Sequence, residues 1–336
     1  MRSDVFFFLC LAIDAAVFAG AIALGNDYLF FAGYVVAQYV VLSTAWNILG
    51  GYCGYVNFGS AAFFALGAYA TVAVHRFYPP LPVPALLLVG GVVSGVVGLG
   101  MGYLTLRLRG AFFAIATLAL AVVLQTLIVN WDYVGGSRGA YIVRPETLAP
   151  FGNYVRYLFL VMSLVAVMAI TLARLIERSR LGYGFATIRD DELAAEACGV
   201  PTLRLKLIAT AISGALMGMA GAPFPYYIGY LQPSSTFGLD YAINSIAMPL
   251  IGGTTSWVGP LIGALLLGSL QQLATVTISS AVNLLIVGFL LVGFVIVAPN
   301  GIVGLVRRYI RHQPLGLVGR RRAGADAAGS APGAAS

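Results

Sequence analysis

The chain has 336 residues, 60% of them hydrophobic and only 9% charged, with a formal net charge of +7 and a mean hydropathy of +0.92. So little polar surface cannot cover a soluble globule of this size, which excludes a water-soluble enzyme and leaves an integral membrane protein with lipid as its surroundings. The positive balance does not indicate nucleic acid, because the arginines flank apolar segments and never form one face interleaved with aromatics.

A spanning helix needs about 20 mostly apolar residues. That length predicts about ten spans, at 5–24, 28–49, 52–75, 83–106, 111–130, 154–176, 205–231, 240–253, 258–276 and 279–298. The expected fold is all-α: a polytopic helix bundle over 1–306, followed by a basic tail at 307–336 with too little apolar bulk to pack. The first run follows Met1 and Arg2, and Ala19-Gly20-Ala21 resembles a signal-peptidase site. Its apolar stretch is longer than a signal peptide uses, so it reads as a retained anchor. Glycines, Asn57, Asn244 and Pro249 interrupt 52–75 and 240–253, which are expected to be broken or re-entrant helices. Gly91 with Gly95, Ser94 with Gly98, Gly98 with Gly102, and Gly214 with Gly218 give small-residue spacings that read as packing seams.

Arginine placement sets the expected orientation. With the N-terminus inside the cell, fifteen of the nineteen basic residues fall on inner segments, leaving Arg76, Arg138, Arg144 and Arg156 outside. Basic residues near span ends stay on the cytoplasmic side, so both termini are expected there. The outer segments are then 76–82, 131–153 and 232–239. Cys10, Cys53 and Cys198 lack the spacing of a metal site or a disulfide framework and read as packing residues.

The sixth and seventh long runs are separated by a polar island, 177–206, which holds ten of the charged residues. Within it Thr187 and Asp190 have the spacing of a capping arrangement, Asp191 and Glu192 fall in a first turn, Gly199 suits a left-handed stop and Pro201 blocks continuation. The expected element is a short helix over 188–198 whose Leu193, Ala194, Ala197 and Cys198 form a small-residue face. A loop this structured is larger than a simple turn requires and suggests a docking surface, with a solvated turn as the alternative.

No glycine-rich phosphate loop ends in Lys-Ser or Lys-Thr, and the only lysine is Lys206 in LRLKL, so nucleotide hydrolysis is not expected of this chain. His75 and His312 have no nucleophile near them in sequence. Asp14 is the only acid deep inside a predicted span, which leaves either a proton-coupled carrier or a neutral, hydrogen-bonded carboxyl in a peripheral helix.

Four segments then carry a resemblance. They are LSTAWNILGGYCGYVNFGSAAFFALGAYAT at 42–71, RLRGAFFAIATLALAVVLQTLIVNWDYVGGSRG at 107–139, the stretch from Ile188 to Ala222, and MPLIGGTTSWVGPLIGALLLG at 248–268. Their order and spacing resemble the inner-membrane permeases of branched-chain amino acid ABC transporters, especially the M-type (LivM) subunit. The resemblance implies an importer subunit of the bacterial inner membrane that works with a second, homologous permease, two cytoplasmic ATP-binding subunits and a periplasmic solute-binding protein. It further implies that Arg189, Asp190, Asp191, Glu192, Glu196 and Gly199 belong to the helix resting in the ATPase groove, and that ATP and magnesium are used by those partners, with no cofactor held by this chain. Tyr55 and Asn57 depart from the Gln and the Ser or other small residue common in relatives, Phe58 from a common Leu, and Pro223 and Pro225 from a continuing Leu-Tyr-Ala, which leaves the solute open. Branched-chain amino acids are the default cargo; urea, short amides and aromatic carboxylates remain alternatives, as does a passive channel.

For the pathway, interrupted helices expose backbone groups that lipid cannot satisfy and that must face protein or water. Asn57, Ser60, Thr254 and Ser256 are the candidates from 51–60 and 250–260, with Asn244, Asn47, Gln125 and Asn130 on neighbouring spans. Hydrogen bonding between helices is the competing role for each.

Overall fold

A computed structural model describes residues 3–77, 81–143, 147–148, 152–277, 288–289, 292–293 and 301–305. The expected span at 279–298 lies outside the described residues except at 288–289 and 292–293, and the tail at 307–336 lies outside them altogether.

The described chain is a helix bundle. Its elements are α1 (Ser3–Leu24), α2 (Asp27–Asn47), α3 (Ser60–Phe77), α4 (Val83–Thr105), α5 (Ala111–Val129), α6 (Tyr154–Glu177), α7 (Arg180–Asp190), α8 (Glu192–Ala197), α9 (Thr202–Gly221), α10 (Phe224–Ile228), α11 (Pro233–Thr236), α12 (Leu239–Gly252) and α13 (Val258–Thr277). Seven helical stretches, those containing α1, α2, α4, α5, α6, α9 and α13, are long and apolar enough to cross a membrane. The chain is therefore a multi-pass membrane protein. Four two-residue strands, β1 (Ala140–Tyr141), β2 (Thr147–Leu148), β3 (Gly152–Asn153) and β4 (Tyr230–Leu231), pair as β1 with β4 and β2 with β3, both antiparallel.

The interruptions fall where glycine and proline place them. Helix α2 runs into a π-turn, Ile48–Tyr52, and residues 53–59 then form no helix until α3 starts. Helix α12 has 14 residues with Pro249 inside it, which is about 21 Å of rise and too short for the roughly 30 Å of hydrocarbon. The span expected at 205–231 is present as one membrane-length stretch, Thr202–Ile228, divided into α9 and α10 at Ala222 and Pro223, where Pro223 lacks the N–H to continue the hydrogen-bond ladder. Gly221 lies against the backbone of Phe64, and Tyr241, at the start of α12, stacks on the Phe64 ring at 4.6 Å. Helix α3 continues 13 residues past that level, about 20 Å. The connection from α9 to α12 follows α3 to that far end, where the Tyr226 hydroxyl lies 3.0 Å from His75 Nδ1 and β4 pairs with β1, before α12 returns; Ala222 to Tyr226 are buried.

The small-residue seam forms as its spacing predicts. Helices α4 and α9 run side by side with Gly218 against Gly90 and Ser94, Gly95 against Ala215, and Gly98 against Thr210. Ser94 Oγ donates to the Phe63 carbonyl at 2.9 Å, which ties α3 to the same seam. In lipid this close backbone approach supplies the dispersion contact that a hydrophobic drive cannot.

Candidate functional site

The polar island folds into two helices rather than the single one expected over 188–198. Ser179 caps α7, its Oγ accepting from the amides of Leu181 at 3.2 Å and Gly182 at 3.4 Å. Thr187 is not a cap: it lies within α7 and donates to the Gly184 carbonyl at 2.9 Å. Asp191 breaks the run at φ −160° and caps α8 through its Oδ1, which accepts from the Ala194 amide at 3.0 Å. The stop is as read from sequence, with Gly199 at φ +82°, a conformation that L side chains adopt at a cost of about 1–2 kcal/mol.

Helix α8 presents two different faces. Leu193, Ala194, Glu196, Ala197 and Cys198 are exposed, while Ala195 is buried and Glu192 turns inward. Lys206 on α9 meets that carboxylate with Nζ 2.7 Å from Glu192 Oε1. Its other two hydrogens go to the Leu106 carbonyl at 2.9 Å and the Tyr55 hydroxyl at 3.2 Å, so all three ammonium donors are used. The Tyr55 hydroxyl donates to Glu192 Oε2, and the Lys206 charge lies 4.7 Å from the Tyr55 ring centroid. Lys206 is 3% exposed.

Burial alone would raise the Glu192 carboxyl. Hydrogen bonds from Lys206 and Tyr55, with the charges of Lys206 and Arg109, instead hold it below the ordinary glutamate range. Arg109 stands half-exposed beside it, 3.7 Å from Glu192 and 3.4 Å from Glu196. Glu196 Oε1 also accepts from Thr202 Oγ1 at 2.8 Å. Gly54, at φ +80°, passes directly against the Arg189 side chain, where no Cβ fits, and Arg189 pairs with exposed Asp190 at 3.2 Å. One joint thus connects α8, the start of α9, the end of α4 and the irregular 53–59 segment. A cleft of about 390 Å³ between Tyr55, Arg109, Ala114 and Glu192 opens beside it.

A second joint ties α6 to the neighbouring turn. Glu177 Oε2 accepts from the Trp257 amide at 2.9 Å and the Tyr52 hydroxyl at 3.4 Å. Both interrupted stretches, 51–60 and 250–260, therefore meet the polar island, and Gly51 packs on the Thr254 backbone.

The pathway candidates do not form one cluster. Asn57 is a turn residue: its Oδ1 accepts from the Gly59 amide at 2.7 Å and its carbonyl from Trp46 Nε1 at 2.8 Å. Ser60 and Ser256 are buried with no hydrogen-bond partner for their hydroxyls among the described residues, whereas Thr254 is half-buried. Asn244 lies elsewhere, in a relay between α13, α12 and α2, accepting from Gln271 at 2.8 Å and donating to Tyr39 at 3.4 Å. Sequence reasoning left Lys206, Tyr55, Arg109 and Glu177 out of the site. A lone lysine inside an apolar repeat was the available signal for the first. Among the described residues no three His, Cys, Asp or Glu side chains gather as a metal site.

The model of the branched-chain amino acid transport system / permease component family matches residues 28–295. Among curated relatives, the chain is similar to the high-affinity branched-chain amino acid transport system permease protein LivM of Salmonella typhimurium, 28% identical over 81% of this chain and 69% of the relative. It is also 26% identical to a probable branched-chain amino acid transport permease protein LivH of Methanocaldococcus jannaschii, over 74% of this chain and 83% of that one. The autoinducer 2 import system permease protein LsrC of Yersinia enterocolitica is 26% identical over 65% of this chain and 62% of its own length. No solved structure matches. The chain belongs to the branched-chain amino acid transport system permease family.

Proposed function

We propose that this chain is the M-type membrane subunit of an ATP-driven importer in a bacterial inner membrane, and that α8 is the element through which ATPase partners move it. On this reading 177–206 and both termini face the cytoplasm. A second homologous permease completes the membrane unit, two ATP-binding subunits supply hydrolysis with their own ATP and magnesium, and a periplasmic binding protein delivers solute. The single observation that carries the reading is the two-faced α8. Its small, exposed face suits insertion into a groove on a partner, while its inward carboxylate is anchored on a buried lysine, so displacing α8 must displace α9, α4 and 53–59 together.

Branched-chain amino acids are the favoured cargo, from the names of LivM and LivH relatives; the LsrC relative imports a different solute and keeps cargo a separate question. Asn57, Ser60, Asn244, Thr254 and Ser256 remain the candidate pathway groups. The experiment compares uptake by Glu196→Lys and Asp14→Asn variants in the assembled transporter at matched membrane abundance. Glu196→Lys should lower uptake about tenfold, the scale of losing an interface anchor, with Asp14→Asn near normal. The opposite pattern would establish a proton-coupled carrier and remove the role given to α8.

A further inference from the structure

A groove of about 350 Å³ runs between α1, α2, α6 and α13. Its walls are apolar apart from Asp14 and Ser163, which are bonded to one another at 3.1 Å. One helical turn closer to the 177–206 end, three of these walls contribute a floor: Phe6 lies a turn from Cys10, Arg174 a turn from Ile170, and Trp257 a turn before Leu261. Arg174 Cζ is 3.7 Å from the Phe6 ring centroid and 5.6 Å from that of Trp257. The two rings meet edge to face at 4.9 Å.

Arg174 is 8% exposed, yet among the described residues its guanidinium forms no ion pair and no hydrogen bond. The nearest carboxylate on its own helix, Glu177, is committed to Trp257 and Tyr52. A guanidinium stays charged at any physiological pH. Aromatic rings satisfy its faces but leave five N–H donors in its plane unused. These donors match the paired oxygens of a phosphate. The position is also right, since Arg174 sits in the last turn of the membrane-length helix α6, where headgroups begin. Helix α1, which forms the outer wall, is the least buried of the long helices and already faces lipid.

The geometry points to a site for one anionic phospholipid of the leaflet at the 177–206 end, with an acyl chain lying along α1 and α6 and its phosphate on Arg174. A net-negative headgroup is required because a zwitterionic one brings its own cation beside the guanidinium. The lipid clamps α1 to the turn 253–257, next to the stretch that Glu177 holds. This assignment does not depend on the role proposed for α8.

The test uses the purified full-length protein in detergent, with bound lipid counted by native mass spectrometry and thermal stability measured against added phosphatidylglycerol, phosphatidylcholine or inorganic phosphate. The wild type should retain one phosphatidylglycerol through delipidation and be stabilised by that lipid alone. Arg174→Gln should lower retention about tenfold, as expected for losing a bidentate charge-assisted contact, and Arg174→Lys by less. Val167→Trp, which fills the groove and leaves the cation intact, should also lose the lipid, while Arg180→Gln on the exposed polar island should keep it. Equal retention in Arg174→Gln, or retention by Val167→Trp, would overturn the site. So would stabilisation by inorganic phosphate equal to that by the lipid.

Discussion

Lys206 and Arg174 are both cations buried at the 177–206 end of the bundle, and their surroundings differ in kind. Lys206 has a carboxylate, a hydroxyl and a carbonyl, one for each hydrogen. Arg174 has two aromatic rings and, among the described residues, no acid. A buried charge with its partners inside the chain transmits displacement, because moving one group without the others leaves charge unpaired in a low-dielectric setting. A buried charge without them leaves its counter-charge to be found outside the chain. The first arrangement is a joint and the second a receptor.

The largest expected effect comes from cutting the joint on one side. Lys206→Met removes the buried partner of Glu192 and leaves that carboxylate only the half-exposed Arg109 at 3.7 Å and the Tyr55 hydroxyl, a loss of about 3 kcal/mol, the lower end for a buried pair broken by removing one partner. The Glu192→Gln, Lys206→Met double variant should recover a large part of that stability, measured as thermal unfolding of the purified protein, because no charge remains without a partner. If the double variant is as damaged as the single one, the pair is not the source of the effect. Gly54→Ala ranks next: its φ of +80° alone costs a residue with a Cβ about 1–2 kcal/mol, and the added atom meets Arg189. Reduced thermal stability and reduced uptake should appear together in this variant. Tyr55→Phe removes one hydroxyl from the network and should cost about 1 kcal/mol, while the ring remains against Phe113 at 5.0 Å.

The smallest effect is expected from pH. Because the folded-state value of Glu192 is depressed, its contribution is complete above the unfolded glutamate value and disappears only as pH falls through the lower folded value. Unfolding midpoints should therefore show no loss from this group between pH 7 and about 5. A loss in that interval that Glu192→Gln abolishes would contradict the arrangement.

The sequence made the bundle legible because lipid imposes simple rules. Apolar length located the long helices, and small-residue spacing located the α4 and α9 seam. Glycine marked the break after Tyr52, whereas the division at Ala222 and Pro223 falls inside a run that reads as one span. The joint was less legible. Glu192 read as an acid in a first turn facing solvent or partner, as Asp190 and Glu196 do. Its inward direction is decided by Lys206, 14 positions away, and Tyr55, 137 positions away, and local pattern carries neither. Thr187 failed as a cap because a threonine inside a helix can bond its own preceding turn, while Asp191 had the free extended conformation that a cap requires. Asn57 drew notice as a polar group in a broken helix, and the break itself consumes it, through Gly59 and Trp46.

The central claim is that work done on α8 reaches the bundle through Lys206, and it is tested most directly by measuring ATP hydrolysis and solute uptake together in vesicles carrying the complete transporter. The account predicts that Lys206→Met keeps hydrolysis within about twofold of wild type while uptake falls by about tenfold or more, a separation that removing one coupling contact produces and mere misassembly does not. Hydrolysis and uptake that stay coupled at the wild-type ratio in this variant, or accumulation of solute by the purified chain alone, would contradict it.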